Sequence, residues 1–286
     1  MNQLVVDAHH HFWDPARFDY PWMQGPEMAP LRRPFGPTDL APLIAANGVD
    51  ATIVVQCCSS VEETEAFLAI AERTPFVAGV VGWVDLTAPT IDATLDQLGR
   101  HHKLVGIRHQ VHDEADPCWL ARADVQRGLA AVFDRGLAYD LLVRTRELPA
   151  ALEVARAFPR GRFVLDHAAK PAIASGIAGT WFAGTARLAE LPNVWCKLSG
   201  LVTETDWHRW TAEQLVPAVR HIWNAFGEHR LMFGSDWPVC LLAADYRRVK
   251  TAAETCLQSV GAAAGAKIWG SNAIEAYRLT IGGKTC

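Results

Sequence analysis

The sequence predicts an α/β fold, a single-domain (β/α)8 TIM-like barrel spanning residues 1–286. Three observations lead there. Eight short β-rich runs alternate with longer segments of helical period, and no composition break divides them. Several runs are almost continuously apolar, as in Ala51-Thr52-Ile53-Val54-Val55, which suits strands buried on both faces of a parallel sheet. The length of 286 residues also accommodates such a barrel, which usually takes about 250.

Strands are expected over residues 4–8, 52–56, 77–84, 104–108, 138–143, 162–166, 194–198 and 231–235. Between them, helix starts are marked by capping boxes, in which a side chain at each end satisfies an orphan amide. Ser60 with Glu63 has that spacing. Thr211 with Gln214 repeats it ahead of an apolar stripe of Leu215, Val219, Ile222 and Phe226. Gly48 and Gly136 stand where helix ends want a left-handed residue. Residues 12–37 break the rhythm with many prolines and an aromatic set of Phe12, Trp13, Phe18, Tyr20, Trp22 and Phe35. Because this segment follows the first strand, it should lie over the carboxyl-end mouth, where barrel enzymes keep their sites.

Composition narrows the function classes. Half the residues are hydrophobic and a fifth are charged, the balance of a globular enzyme. The net charge is −4, with both signs interspersed and no basic stripe, so nucleic-acid binding is not expected. No apolar run suggests a membrane span or a secretory leader, which points to the cytoplasm. Seven cysteines lack zinc-ribbon spacing; Cys57 and Cys58 read as small core residues and Cys286 as an exposed thiol. Oligomeric state is not legible, and a homo-oligomer is allowed.

Chemistry concentrates at three strand ends. Asp7-Ala8-His9-His10-His11 closes the first strand. Residues i and i+2 of a strand face the same way, roughly 6.6 Å apart, so His9 and His11 converge while His10 turns away. Phe163-Val164-Leu165-Asp166-His167 ends a second apolar strand on titratable groups, and Leu231-Met232-Phe233-Gly234-Ser235-Asp236 ends a third on a carboxylate. Any one of these is explained by an ordinary surface turn. Three delivered to one rim are not.

These motifs resemble the amidohydrolase superfamily, whose skeleton is Asp-x-His-x-His on strand one, a strand-borne His and a strand-eight Asp. Longer runs resemble its sugar-acid lactonase branch, which includes L-fucono-, L-rhamnono- and galactono-lactone hydrolases and a pyrone-dicarboxylate lactonase. They are Asp7-Ala8-His9-His10-His11-Phe12-Trp13-Asp14-Pro15, Gly106-Ile107-Arg108-His109, Asp166-His167-Ala168-Ala169-Lys170-Pro171, Cys196-Lys197-Leu198-Ser199-Gly200, Gly234-Ser235-Asp236-Trp237-Pro238 and Asn272-Ala273. The likeness runs from residue 5 to 278 and implies a small sugar lactone as the partner molecule. Binuclear members carry a bridging Lys or Glu on the fourth strand and a further His on the fifth or sixth. Here those fourth and fifth strands offer Arg108 and Asp140, so a two-metal centre is not expected. One divalent metal such as zinc on His9, His11, His167 and Asp236 is chemically reasonable. Metal-independent catalysis stays equally open, and the resemblance implies that weak metal dependence is common in the branch.

Lactone opening assigns roles. Asp236 is expected to deprotonate the attacking water and return the proton to the ring oxygen. His9, His11 and His167 would polarise the carbonyl, and Arg108 would orient a hydroxyl or carboxylate unless it is spent on a buried acid. Trp13 and Trp22 suit the apolar face of a sugar. Lys197 is a substrate contact or a salt-bridging residue, and Lys170 leans to the salt bridge. Trp83, Trp195 and Trp223 read as core, and His101, His102, His221 and His229 as residues away from the mouth. The competing readings are a decarboxylase of small carboxylic acids and a non-catalytic sugar-acid-binding barrel.

Overall fold

A computed structural model describes residues 4–261 and 267–281; Cys286 lies outside them. Eight strands pair in sequence order, every neighbour parallel. They are β1 (Val6–His10), β2 (Ala51–Val55), β3 (Val77–Gly82), β4 (Leu104–His109), β5 (Ala138–Leu141), β6 (Arg162–Leu165), β7 (Val194–Leu198) and β8 (Leu231–Phe233). The seam between first and last is closed just past β8. Asp236 donates its N–H to the His9 carbonyl at 2.8 Å, and His11 donates to the Trp237 carbonyl at 2.6 Å. The result is a (β/α)8 barrel.

Helices follow the strands: α1 (Pro37–Ala46), α2 (Val61–Arg73), α3 (Ile91–Leu98), α4 (Ala123–Asp134) and α5 (Leu148–Ala157). The remainder are α6 (Gly179–Ala189), α7 (Ala212–Phe226), α8 (Tyr246–Ser259) and α9 (Ser271–Tyr277). The α7 stripe is buried as its spacing predicts, and Gly48 and Gly136 take φ of +63° and +70° at helix ends. Gln214 Oε1 accepts from the Thr211 N–H at 3.0 Å. The Ser60 box forms only by half. Ser60 caps the Glu63 N–H at 3.1 Å, but Glu63 is buried and accepts instead from Cys57 and Cys58 at 2.8 and 3.1 Å. A second set of orphan amides outcompeted the first. Trp195 is buried, whereas Trp83 and Trp223 are half-buried. Among the described residues no helix is long and apolar enough to cross a membrane.

Two apolar layers flank the sheet. The outer one packs strands on helices, while the inner one gathers Val6, Ala8, Ile53, Val55, Ala138, Val164, Trp195 and Met232 around Tyr277 of α9. Ala8 joins that inner layer, yet the next residue, His9, also meets groups of the barrel interior. A register irregularity between Asp7 and His10 permits this, as bulges commonly re-aim side chains beside sites. β1 also begins two residues later than expected, at Val6. Asp7 then accepts from Ser235 N–H and Tyr246 O–H at 2.8 and 2.9 Å, tying β1 to the segment after β8.

The 12–37 segment forms short 3-10 turns at Pro21–Met23 and Pro26–Leu31, and Trp13 bridges Phe35 antiparallel. Trp13 donates its indole N–H to Leu31 and Arg33 carbonyls at 2.9 and 3.0 Å. Trp22 donates to the Cys57 carbonyl at 3.0 Å, anchoring the flap to the loop after β2.

Candidate active site

His11 is oriented first. Its Nδ1 lies 2.8 Å from the Val55 carbonyl, an acceptor only, so Nδ1 carries a proton and Nε2 faces inward. His9 Nε2 is 3.3 Å from that atom, and Asp236 Oδ1 is 3.3 Å from His11 Nε2 and 3.8 Å from His9 Nε2. His10 faces away, 2.9 Å from Thr52 Oγ1. Burial first, and His11 second, push His10 down to about 3, so it is uncharged near neutrality.

His167 arrives by an unusual route. Residues His167, Ala168, Ala169 and Lys170 all have positive φ, between 49° and 58°, though none is glycine. Left-handed backbone costs an L-residue roughly 1–2 kcal/mol. The turn is held by Lys170 N–H donating to the His167 carbonyl and by Trp181 Nε1–H donating to Ala168, both at 2.8 Å. It sets the His167 ring 4.4 Å from that of His9, with Nδ1 2.9 Å from Ser199 Oγ. Burial is the main reason that His167 is pushed down to about 3. Burial also works to raise Asp236, but His167, His11 and His9 outweigh it and keep the carboxyl below its ordinary range.

Two glycines make this crowding feasible. A Cβ on Gly234 would stand 2.6 Å from His9 Cβ. At Gly200, with φ +61°, it would stand 2.5 Å from His167 Nδ1 and 3.0 Å from Asp236 Oδ2. Gly200→Ala is therefore expected to cut kcat by about 100-fold, since a displacement near 1 Å costs on that order. Steady-state kinetics on soluble protein with wild-type far-UV dichroism would check it.

A cavity of about 260 Å³ opens over these groups, lined by His11, Arg108, His167 and Asp236 together with Trp22, Arg144 and Lys170. Arg108 is nevertheless committed below: NH1 donates to Asp166 Oδ2 at 3.0 Å, and NH2 donates to the Gln56 carbonyl. Lys170 pairs with Glu204 at 3.0 Å. Two expected substrate contacts sit elsewhere. Trp13 is buried behind Trp22, ring centroids 5.5 Å apart, because its N–H is claimed by the flap. Lys197 does not reach the cavity; it is fully buried against Asp140 and Asp166, at 2.6 and 3.0 Å. Asp166, Ser199, Gln56 and Asp140 complete the site without having been assigned a role from sequence.

The expected four-ligand metal set resolves into two trios sharing His9: His9, His11 and Asp236, and His9, Asp166 and His167. The first fits a tetrahedral ion. Donors about 2.0–2.1 Å from zinc stand about 3.3–3.4 Å apart, against the 3.3, 3.3 and 3.8 Å found. The Val55 carbonyl supplies the outer partner that a metal-binding imidazole commonly needs.

Fold and site define a (β/α)8-barrel enzyme with a compact His/Asp centre at its mouth. The chain belongs to the amidohydrolase family, whose model matches residues 6–279. It is 43% identical to an L-fucono-1,5-lactonase of Burkholderia ambifaria, over 96% of this chain and 95% of that one. It is 41% identical to an L-fucono-1,5-lactonase of Burkholderia multivorans, over 98% and 97%. A crystal structure of a Burkholderia multivorans amidohydrolase with bound zinc superposes with a TM-score of 0.92 at 40% identity, covering 97% of this chain and all of the other.

Proposed function

We propose that this protein hydrolyses a small sugar lactone to its aldonic acid, with L-fucono-1,5-lactone the first candidate and L-rhamnono- and galactono-lactones next. The observation that carries the reading is Asp236 held as a carboxylate beside His9, His11 and His167 under a sugar-sized cavity, in a chain so similar over its whole length to two lactonases. Asp236 accepts a proton from water as the oxygen attacks the carbonyl carbon. The tetrahedral oxyanion forms beside the histidines and Arg108. As the ring C–O bond breaks, Asp236 gives the proton to the leaving alkoxide, leaving acid and hydroxyl on one open chain. A divalent metal, zinc by analogy, would be held by His9, His11 and Asp236 and would supply Lewis-acid polarisation of the carbonyl. A cytoplasmic setting accords with this reading.

A panel of aldonolactones followed with a pH indicator, with and without chelator, tests it. Acid release is expected to be fastest with an L-fucono-type lactone. Turnover of none of the lactones, or CO2 release from aromatic acids instead, would replace lactone hydrolysis with another activity.

A further inference from the structure

The cavity over Asp236 is small. At about 260 Å³ it falls just under the roughly 300–1,000 Å³ of most ligand pockets, so it suits one sugar ring and little more. It does not stand alone. A cleft of about 500 Å³ lies beside it, and the two share Trp22, Cys57, Gln110 and Asp113. Their common sill is the Cys57 carbonyl, which accepts from the Trp22 indole at 3.0 Å and from Gln110 Nε2 at 3.3 Å. With its N–H already taken, Trp22 offers its ring to the two spaces.

The rest of the cleft is built by the flap and the loop after β2. Phe18 is half-buried there, with the Arg17 guanidinium 5.4 Å from its ring centroid. Arg17, Asp19 and Ser59 are exposed, and among the described residues their side chains have no hydrogen-bond or ion-pair partner. The other arginines of the flap are committed: Arg32 donates to the Met23 carbonyl at 3.0 Å, and Arg33 pairs with Asp39 at 3.4 Å. Aromatic walls beside free polar groups suit a polyol. A ring face takes the C–H face of a sugar. A carboxylate only accepts and a guanidinium only donates, whereas a sugar hydroxyl does both. A purely apolar guest would strip water from Asp19 and Arg17 without replacing it. An anion would meet Asp19 and Asp113, and a cation would meet Arg17.

We propose that this cleft is a second sugar subsite, and that the substrates include aldonolactones carrying one further sugar. The lactone lies over Asp236 and the glycosyl group lies between Trp22 and Phe18. This rests on reading the His/Asp centre as a lactone-opening site. The bond that breaks is still the ring C–O of the lactone; water adds its oxygen and one hydrogen to the acid and the other hydrogen to the freed hydroxyl. The glycosidic link stays intact. Arg17, Phe18 and Asp19 are then specificity residues, because they meet only the added sugar.

The test compares two kinds of probe on the full chain: the simple aldonolactone opened fastest, and derivatives of it with one galactosyl group on each free hydroxyl in turn. At least one derivative is expected to show kcat/KM about 10-fold above the parent, the worth of one good ring contact or hydrogen bond. Phe18→Ala and Asp19→Asn are each expected to remove that gain while leaving the parent lactone within about twofold of wild type. Asp19 is exposed, so Asp19→Asn keeps the test open should Phe18→Ala not fold. A parent lactone opened faster than every derivative would overturn the subsite, and so would variants that slow both probes equally or neither. Those outcomes leave lactone opening itself standing, whereas turnover of no lactone at all removes the proposed function and the subsite with it.

Discussion

Asp236→Asn lowers kcat on the preferred lactone by about 10²- to 10⁴-fold, the usual worth of a positioned acid–base group, and leaves the protein folded. An asparagine carries no basic oxygen able to take a proton from water, nor one to return to the departing alkoxide. Its shape is nearly the same. The local backbone also tolerates the change: residue 236 sits at φ +56°, where Asn is among the few readily accepted side chains. Its main-chain bond to the His9 carbonyl at 2.8 Å does not involve the carboxylate. KM is expected to move little, because the binding walls are untouched. A variant with a wild-type melting temperature and near-normal kcat would remove Asp236 from the chemistry.

Lys197→Met has the largest expected effect on stability, a loss of about 3–5 kcal/mol, as found when one partner of a buried ion pair is deleted. Asp140 is left in the barrel interior with only the Tyr277 hydroxyl, and Asp166 keeps Arg108 but loses its second cation. A domain has about 5–15 kcal/mol in all, so the shift in urea midpoint should be plain at unchanged m-value. Adding Asp140→Asn is expected to restore much of the loss. A single variant as stable as wild type would show that the ammonium is not the counter-ion these carboxylates require.

What was legible in the sequence is what depends on periodicity. Apolar runs gave eight strands to within a few residues, and alternation put His9 and His11 on one side and His10 on the other, although the bulge in β1 that turns that pair inward left no mark in the sequence. The strand ends were less legible: β3, β5, β6 and β8 stop one or two residues earlier than expected, at β6 and β8 because Asp166 and Gly234-Ser235 lie outside the ladder. His167 was found from its motif, but its left-handed approach has no signature, since Ala168 and Ala169 are ordinary residues in an extraordinary conformation. Lys197 was placed on the right strand and left between a substrate contact and a salt bridge; the structure shows the salt bridge, in the interior and not at the rim. Its partners come from β1, β5 and the end of β6, with Tyr277 of α9 beneath, and no one-dimensional pattern registers a meeting of four distant segments. Trp13 was read as a wall because aromatic character is visible in sequence, whereas prior claims on an indole N–H are not.

The run of left-handed residues after β6 has a thermodynamic side. Four conformers that L-amino acids disfavour, each at roughly 1–2 kcal/mol, add up to a debt comparable with much of a barrel's margin, serviced by good packing elsewhere. Selection for sturdiness alone would relax such a turn. The turn ties the aim of one imidazole to the stability of the entire molecule, so hardening this scaffold and sharpening its chemistry are opposed goals at these four positions.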